Sequence, residues 1–268
     1  MSLVALRPVP TSSVPVLSAA NLCVTYAGGR GKTRALDRFD LTIREGEFVS
    51  MLGPSGCGKS TLLRVACGLM RPTSGAMELR GREILGPTSD IGIVFQQPTL
   101  LPWKSVVENV LVPCDILRLP RARTKPRALE LLHLMGLASF ADHYPGELSG
   151  GMQQRVGLAR GLVHDPDLLL MDEPFAALDA LTREQMAIEL QKLWLRQTKS
   201  VMFITHSIPE AVFLSDRIVV LSSRPGRVIR ELSIDLPRPR ALDTMRTTQF
   251  GNYCHELREL FAVSGAID

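Results

Sequence analysis

The stretch Gly53-Pro54-Ser55-Gly56-Cys57-Gly58-Lys59-Ser60-Thr61 constrains this chain more than any other. Residues 47–52 before it are mostly apolar and read as a strand, and residues 60–69 after it read as a helix. A strand that enters a glycine-rich turn and leaves as a helix aims several backbone N–H groups and a helix N-terminus at one point, where an anion can sit. Gly53, Gly56 and Gly58 let the backbone curl where a Cβ would clash. Lys59 can reach the β- and γ-phosphates of a nucleoside triphosphate, the Ser60 hydroxyl can ligate Mg²⁺, and Thr61 is placed for the α-phosphate. The competing reading is a chance glycine turn; a strand before it and a helix after it weigh against that.

The rest of the chain alternates around this loop. Residues 16–26 and 36–44 predict a hairpin or a pair of sheet strands, and residues 76–80 another strand, so the first ninety residues are mainly β around one helix. After a further strand at 91–95 the pattern turns helical, with helices expected over 106–119, 126–135 and 149–163. Strands resume at 168–171, 201–205 and 218–221, separated by helices over 180–197 and 207–214, which implies a parallel sheet covered by helices. A proline- and arginine-rich linker at 235–240 leads to a last amphipathic stretch over 243–261. Arg224, Arg227, Arg230, Arg238 and Arg240 are expected to form a solvated basic face, with lipid headgroups as the less favoured partner.

Composition narrows the setting. No run of eighteen apolar residues could span a bilayer. The beginning of the chain has one arginine, early prolines and no long apolar run, which fits a flexible leader over 1–15 better than a secretory signal and points to the cytosol. Cys23, Cys57, Cys67, Cys114 and Cys254 are scattered, without a C-x-x-C pair, and read as reduced thiols. A net charge of +4 decides nothing about partners.

Two more stretches carry chemistry. Residues 168–174 end as Met171-Asp172-Glu173-Pro174, so an apolar strand delivers two carboxylates at its carboxyl end, the edge where open α/β sheets bind ligands. Asp172 would hold the Mg²⁺ shell and Glu173 would orient and deprotonate the attacking water. His206 ends another strand and could hydrogen-bond the γ-phosphate; alone, it would more often be structural. In Leu148-Ser149-Gly150-Gly151-Met152-Gln153-Gln154-Arg155, Ser149 is a good N-cap and two glycines leave bare N–H groups, a second anion-binding helix start.

With these motifs in this order, residues 16–230 resemble the ATP-binding cassette (ABC) ATPases. The resemblance implies a P-loop NTPase (RecA-like) α/β core with an N-terminal antiparallel β subdomain and an inserted α-helical subdomain near 97–163, in a cassette spanning 16–240, followed by a short helical tail at 241–268. It implies ATP and Mg²⁺ as cofactors and a homodimer of cassettes paired head to tail. Gly53 to Thr61, with Pro54, Ser55 and Cys57 among them, match Walker A. Gln96 matches the Q-loop glutamine, a ligand of Mg²⁺ that relays to the coupling surface. Ser149, Gly150 and Gly151 match the signature that meets the γ-phosphate from the partner copy. Asp172 and Glu173 match Walker B and the catalytic glutamate, Asp179 the D-loop, and His206 the switch histidine. Tyr26 looks like the adenine-stacking aromatic, with a core strand tyrosine as its rival. Met152 departs from the glutamine many members carry.

Gly86-Pro87, Phe95-Gln-Gln-Pro-Thr-Leu-Leu-Pro-Trp103, residues 171–183 and Ser223-Arg-Pro-Gly-Arg227 are similar to the nitrate, sulfonate and taurine type of importer ATPase. That resemblance implies integral membrane permease subunits meeting Leu100, Leu101 and Trp103, although a buried helical-subdomain core would account for the same residues. It also implies an external solute-binding protein acting indirectly, a peripheral place on the cytoplasmic face of the inner membrane, and no nucleic acid. The alternatives are a soluble ABC ATPase acting on nucleic acid or ribosomes, and a cassette of a lipid or export system. A catalytically silent cassette is disfavoured by Lys59, Asp172, Glu173 and His206 together.

Overall fold

The computed structural model describes residues 15–28 and 31–263. The leader expected over 1–15 therefore lies, apart from Pro15, outside the described residues. Strand β1 (Leu17–Gly28) pairs antiparallel with β2 (Gly31–Ile43). The strand β3 (Phe48–Leu52) runs into the glycine loop and out as helix α1 (Lys59–Ala66), and β4 (Ser74–Leu79) with β5 (Arg82–Glu83) completes a four-stranded antiparallel sheet in the order β2-β1-β4-β5.

After β6 (Ile91–Val94) come three helices, α2 (Val106–Ile116), α3 (Arg121–Leu134) and α4 (Gly150–Leu162). Then β7 (Leu168–Asp172), α5 (Ala180–Gln197), β8 (Ser200–Thr205), α6 (Ile208–Leu214) and β9 (Arg217–Leu221) build the second sheet, closed by β10 (Val228–Ser233) and followed by α7 (Thr248–Val263). Its order is β10-β9-β3-β8-β7-β6; every pair is parallel except β10 with β9.

Both faces of the parallel sheet are covered, which is why its strands are apolar almost throughout. Side chains alternate between the faces. Phe48, Leu52, Leu169, Met171, Val201 and Phe203 pack with the helical side, while Val49, Met51, Leu168, Leu170, Met202 and Ile204 pack with α1 and the antiparallel sheet. The glycine loop thus leaves the middle of a two-sided core.

Two expectations need correction. Helix α3 starts at Arg121, five residues before the proline taken as its first position, so Pro126 lies inside it. The start is fixed instead by the backbone turn at Pro120, whose carbonyl accepts from Arg123 N, Thr124 N and the Thr124 hydroxyl.

The basic face of the tail is the second. Arg240 is only 2 % exposed, and its guanidinium donates to the carbonyls of Val212, Phe213, Ser215 and Leu236. These include the last carbonyls of α6, which lack partners within the helix. Burial, then the charge of Arg238, push the Arg240 pKa down to about 9, so it remains charged near neutrality. Arg238 is also buried, stacked 4.3 Å over the Trp194 ring and paired with Asp216. Arg224, Arg227 and Arg230 keep the expected exposed character, Arg227 paired with the buried Asp37 and Arg230 with Glu256 nearby. The linker signal came from prolines; the burial came from carbonyls at the end of α6 that required donors.

Arg240→Ala is expected to destabilise the fold by about 3 kcal/mol, because several buried acceptors lose one donor at once. Urea denaturation would show this as a lower midpoint at unchanged slope; an unchanged midpoint would contradict the strut.

Candidate functional site

The loop between β3 and α1 is held in shape by its own lysine. Lys59 is 7 % exposed, and its ammonium donates to the carbonyls of Gly53 at 2.6 Å and Pro54 at 3.0 Å. Gly58 sits at φ 107°, a conformation that L side chains rarely adopt, and a Cβ there would lie 2.8 Å from the Ala35 carbonyl. The loop is therefore pressed against β2, so the antiparallel sheet forms one wall of the space above it.

That space is a cavity of about 400 Å³, lined by Tyr26, Thr33 and Ala35 from the hairpin, by Ser55, Gly56, Gly58, Lys59, Ser60 and Thr61 from the loop and helix, and by Glu173 and Arg224. Tyr26 is half-buried at its edge, with its hydroxyl 3.1 Å from that of Thr61. It belongs to the cavity wall and to β1 at once. Cys57, by contrast, is buried beneath the loop, and burial pushes its thiol up.

At the opposite wall, Glu173 has φ 44°, an uncommon conformation for a residue with a side chain, held by its backbone N–H donating to the Ile204 carbonyl at 2.8 Å. Its carboxylate accepts from the Nδ1–H of His206 at 3.2 Å. Asp172 ends β7 half-buried; burial and then the Glu173 charge raise its carboxyl pKa, while Lys59 opposes. Two neighbouring carboxylates facing one lysine leave an excess of negative charge.

The donor set fits a nucleotide. Backbone N–H groups at the start of α1, an ammonium and two hydroxyls face a space of sufficient size, which suits a phosphate chain. The paired carboxylates and the Ser60 hydroxyl suit a hard divalent cation, with phosphate and water as its remaining ligands. Among the described residues no group of three or more His, Cys, Asp or Glu could hold a metal alone.

Other expected site residues lie elsewhere. Gln96 stands exposed just beyond β6 and is not among the cavity-lining residues. Ser149 caps α4, its hydroxyl accepting from Met152 N at 3.3 Å, and Gly150 and Gly151 open that helix outside the cavity. Asp179 caps α5 through Thr182 N at 3.0 Å. A Cβ on Gly151 would lie 3.0 Å from the Thr182 methyl, so the two capped helix starts are neighbours.

Sequence reasoning missed the braces behind Gln96. Buried Gln154 donates to the Phe95 carbonyl at 3.2 Å, Arg160 to the Thr99 carbonyl at 3.1 Å and to that of Pro98, and buried Asn109 to those of Leu101, Lys104 and Ser105. Helices α2 and α4 thus hold the segment after β6. No local spacing signals the long-range contacts made by Gln154 and Arg160. Beside them Trp103 is 71 % exposed, while Leu100 and Leu101 are partly buried.

A parallel sheet whose central strand enters a lysine-bearing glycine loop and a helix, with two carboxylates ending a nearby strand, defines the phosphate-loop class of nucleotide-binding protein. The ABC transporter family model matches residues 36–176. An uncharacterized ABC transporter ATP-binding protein of Methanocaldococcus jannaschii is 49 % identical over 224 residues, 84 % of either chain. The taurine import ATP-binding protein TauB of Rhizobium johnstonii is 50 % identical over 224 residues, 83 % of this chain and 86 % of that one. Among solved structures, the ATP-binding cassette MJ0796, dimeric in a post-hydrolysis state bound to ADP and Pi, is 36 % identical with a TM-score of 0.71, covering 82 % of this chain and all of that one. The chain belongs to the ABC transporter family, as its ATP-hydrolysing cassette.

Lys59→Ala is expected to abolish the rise in melting temperature that ATP gives the unaltered chain. A persisting shift would place the phosphates elsewhere.

Proposed function

We propose that this chain powers a multi-subunit importer of a small polar or anionic solute of the nitrate, sulfonate or taurine class. The observation that carries the catalytic part is the Glu173 carboxylate at the cavity wall, gripped by His206. The solute class draws support from the relatives named for taurine import.

In this reading Lys59, Ser60 and Thr61, with the loop N–H groups of Gly53 to Gly58, hold the phosphate chain, and Tyr26 packs against the base. Ser60 and Asp172, with Gln96 when it turns inward, hold Mg²⁺, which supplies charge neutralisation at the phosphates. Glu173 orients a water at the terminal phosphate and takes its proton through a carboxylate oxygen. His206 fixes that carboxylate by donating from Nδ1, and a ring protonated at both nitrogens would also donate from Nε2 to the terminal phosphate.

Ser149, Gly150, Gly151 and Asp179 lie outside the cavity at adjoining helix starts, and we assign them to the nucleotide of a second copy, as in a head-to-tail dimer. The dimeric cassettes among the solved relatives support this arrangement. Exposed Trp103, beside the braced segment after Gln96, suits a contact with an integral permease subunit. That would place the chain peripherally at the cytoplasmic face of the inner membrane, with an external solute-binding protein acting through the permease. No described helix is long and apolar enough to cross a membrane.

Glu173→Gln should bind ATP as the unaltered chain does and hydrolyse it about 10²- to 10⁴-fold more slowly, the range removed with a general base. Single-turnover hydrolysis reads this, and normal turnover would remove Glu173 from the role. The same variant, tagged and purified with ATP and Mg²⁺ from detergent-solubilised host membranes, should bring down a multi-span permease; ribosomes or nucleic acid instead would overturn the importer reading.

A further inference from the structure

The loop Ser222-Ser223-Arg224-Pro225-Gly226-Arg227 after β9 is built against the phosphate loop from the side opposite Glu173's strand. It is closed on itself, since Ser222 N donates to the Arg227 carbonyl at 2.9 Å, Arg227 N to the Ser222 hydroxyl at 3.0 Å, and that hydroxyl to the Pro225 carbonyl at 2.8 Å. It is tied to the hairpin, since Gly226 N donates to the Ala35 carbonyl at 2.8 Å and Asp37 N to the Gly226 carbonyl at 3.1 Å, while the Arg227 guanidinium pairs with buried Asp37. It also meets the phosphate loop: a Cβ on Gly226 would lie 2.1 Å from the Cys57 carbonyl, so only glycine allows this approach. The loop therefore fixes the residue it carries, Arg224, relative to Gly56 to Lys59.

Arg224 extends over the phosphate loop. Its Nε donates to the Gly56 carbonyl at 3.3 Å, and its guanidinium lines the same cavity as Lys59, Ser60 and Thr61. Among the described lining residues Lys59 and Arg224 are the cations and Glu173 is the anion. Lys59 already gives hydrogen bonds to two loop carbonyls, whereas Arg224 is exposed and gives one, leaving most of its donors for an anion in the cavity. A triphosphate brings several negative charges, more than one buried ammonium balances.

We propose, building on the nucleotide reading of the cavity, that Arg224 is a nucleotide-binding residue that holds the phosphate chain of ATP by charge from the rim, and that residues 222–227 are the frame that aims it. A guanidinium suits the task because its charge persists at all working pH.

The test measures ATP affinity of the full chain by equilibrium titration for Arg224→Gln, Arg224→Lys and Lys59→Ala, with thermal unfolding as a check on folding. Arg224→Gln should bind ATP about five-fold more weakly, the size of a charge-assisted contact discounted for exposure. Arg224→Lys should recover most of the affinity, and added salt should narrow the gap between Arg224→Gln and the unaltered chain. Arg224→Gln binding as tightly as the unaltered chain, while Lys59→Ala has lost ATP, would overturn the assignment alone. Arg224→Lys being as weak as Arg224→Gln would also overturn it, since shape rather than charge would then matter. Full ATP binding by Lys59→Ala as well would sink the nucleotide reading of the cavity itself.

Discussion

Parallel pairing of β9, β3, β8 and β7 is the constraint on which the site depends. Parallel strands end on the same edge, and each must leave it through a connection long enough to return to the other edge. Four separate stretches are thereby delivered to one place: the glycine loop after Leu52, Asp172 and Glu173 at the end of β7, His206 after Thr205, and Arg224 after Leu221. None is near the others in sequence. Register keeps them level, with Leu52 beside Thr205 and Val220, and Asp172 beside Ile204. The backbone contact from Glu173 to Ile204 extends that pairing past the last strand residue and holds the carboxylate in its positive-φ conformation.

The parts of this arrangement written in short spacings were legible. The phosphate loop, the strand ending in two carboxylates and the helix opened by Ser149 each depend on backbone geometry within about ten residues, and such geometry leaves a local pattern. Helix α5 was read to its ends, and Asp179 caps its start. What was not legible depends on partners far along the chain. Proline and arginine between 235 and 240 have the composition of an exposed linker, yet Arg238 and Arg240 are buried because Trp194, Asp216 and the carbonyls ending α6 lie where that segment passes. Strand β10 escaped notice since its exposed edge gives it no apolar run.

The same distance between signal and partner explains the hidden role of the hairpin. From sequence, the first strands read as a hairpin or a pair of sheet strands. In the fold, Gly58 presses on Ala35 and Gly226 bonds to it, so β2 touches both the phosphate loop and the loop after β9. Ala35 offers one carbonyl at the crossing of three chain segments. Asp37, two residues on, supplies the charge that receives Arg227 and Arg34. The antiparallel sheet is thus tied to the nucleotide side of the core by backbone contacts and by a buried carboxylate.

Electrostatics then gives the two walls of the cavity opposite tasks. On the Glu173 side, Asp172 and Glu173 repel each other in a partly buried setting, and the pair gains by any cation placed between it and the phosphates. On the far side, Lys59 is committed in part to its own loop, and Arg224 adds charge from an exposed rim where it is not desolvated before an anion arrives. A buried second cation would repel Lys59 and lose its hydration in the unliganded chain; a rim arginine does neither to the same degree. The polyphosphate would therefore lie between a wall that needs a divalent cation and a wall that already carries positive charge. On the proposed function the attacking water would lie on the first, beside Glu173, because that wall carries the carboxylate held by His206.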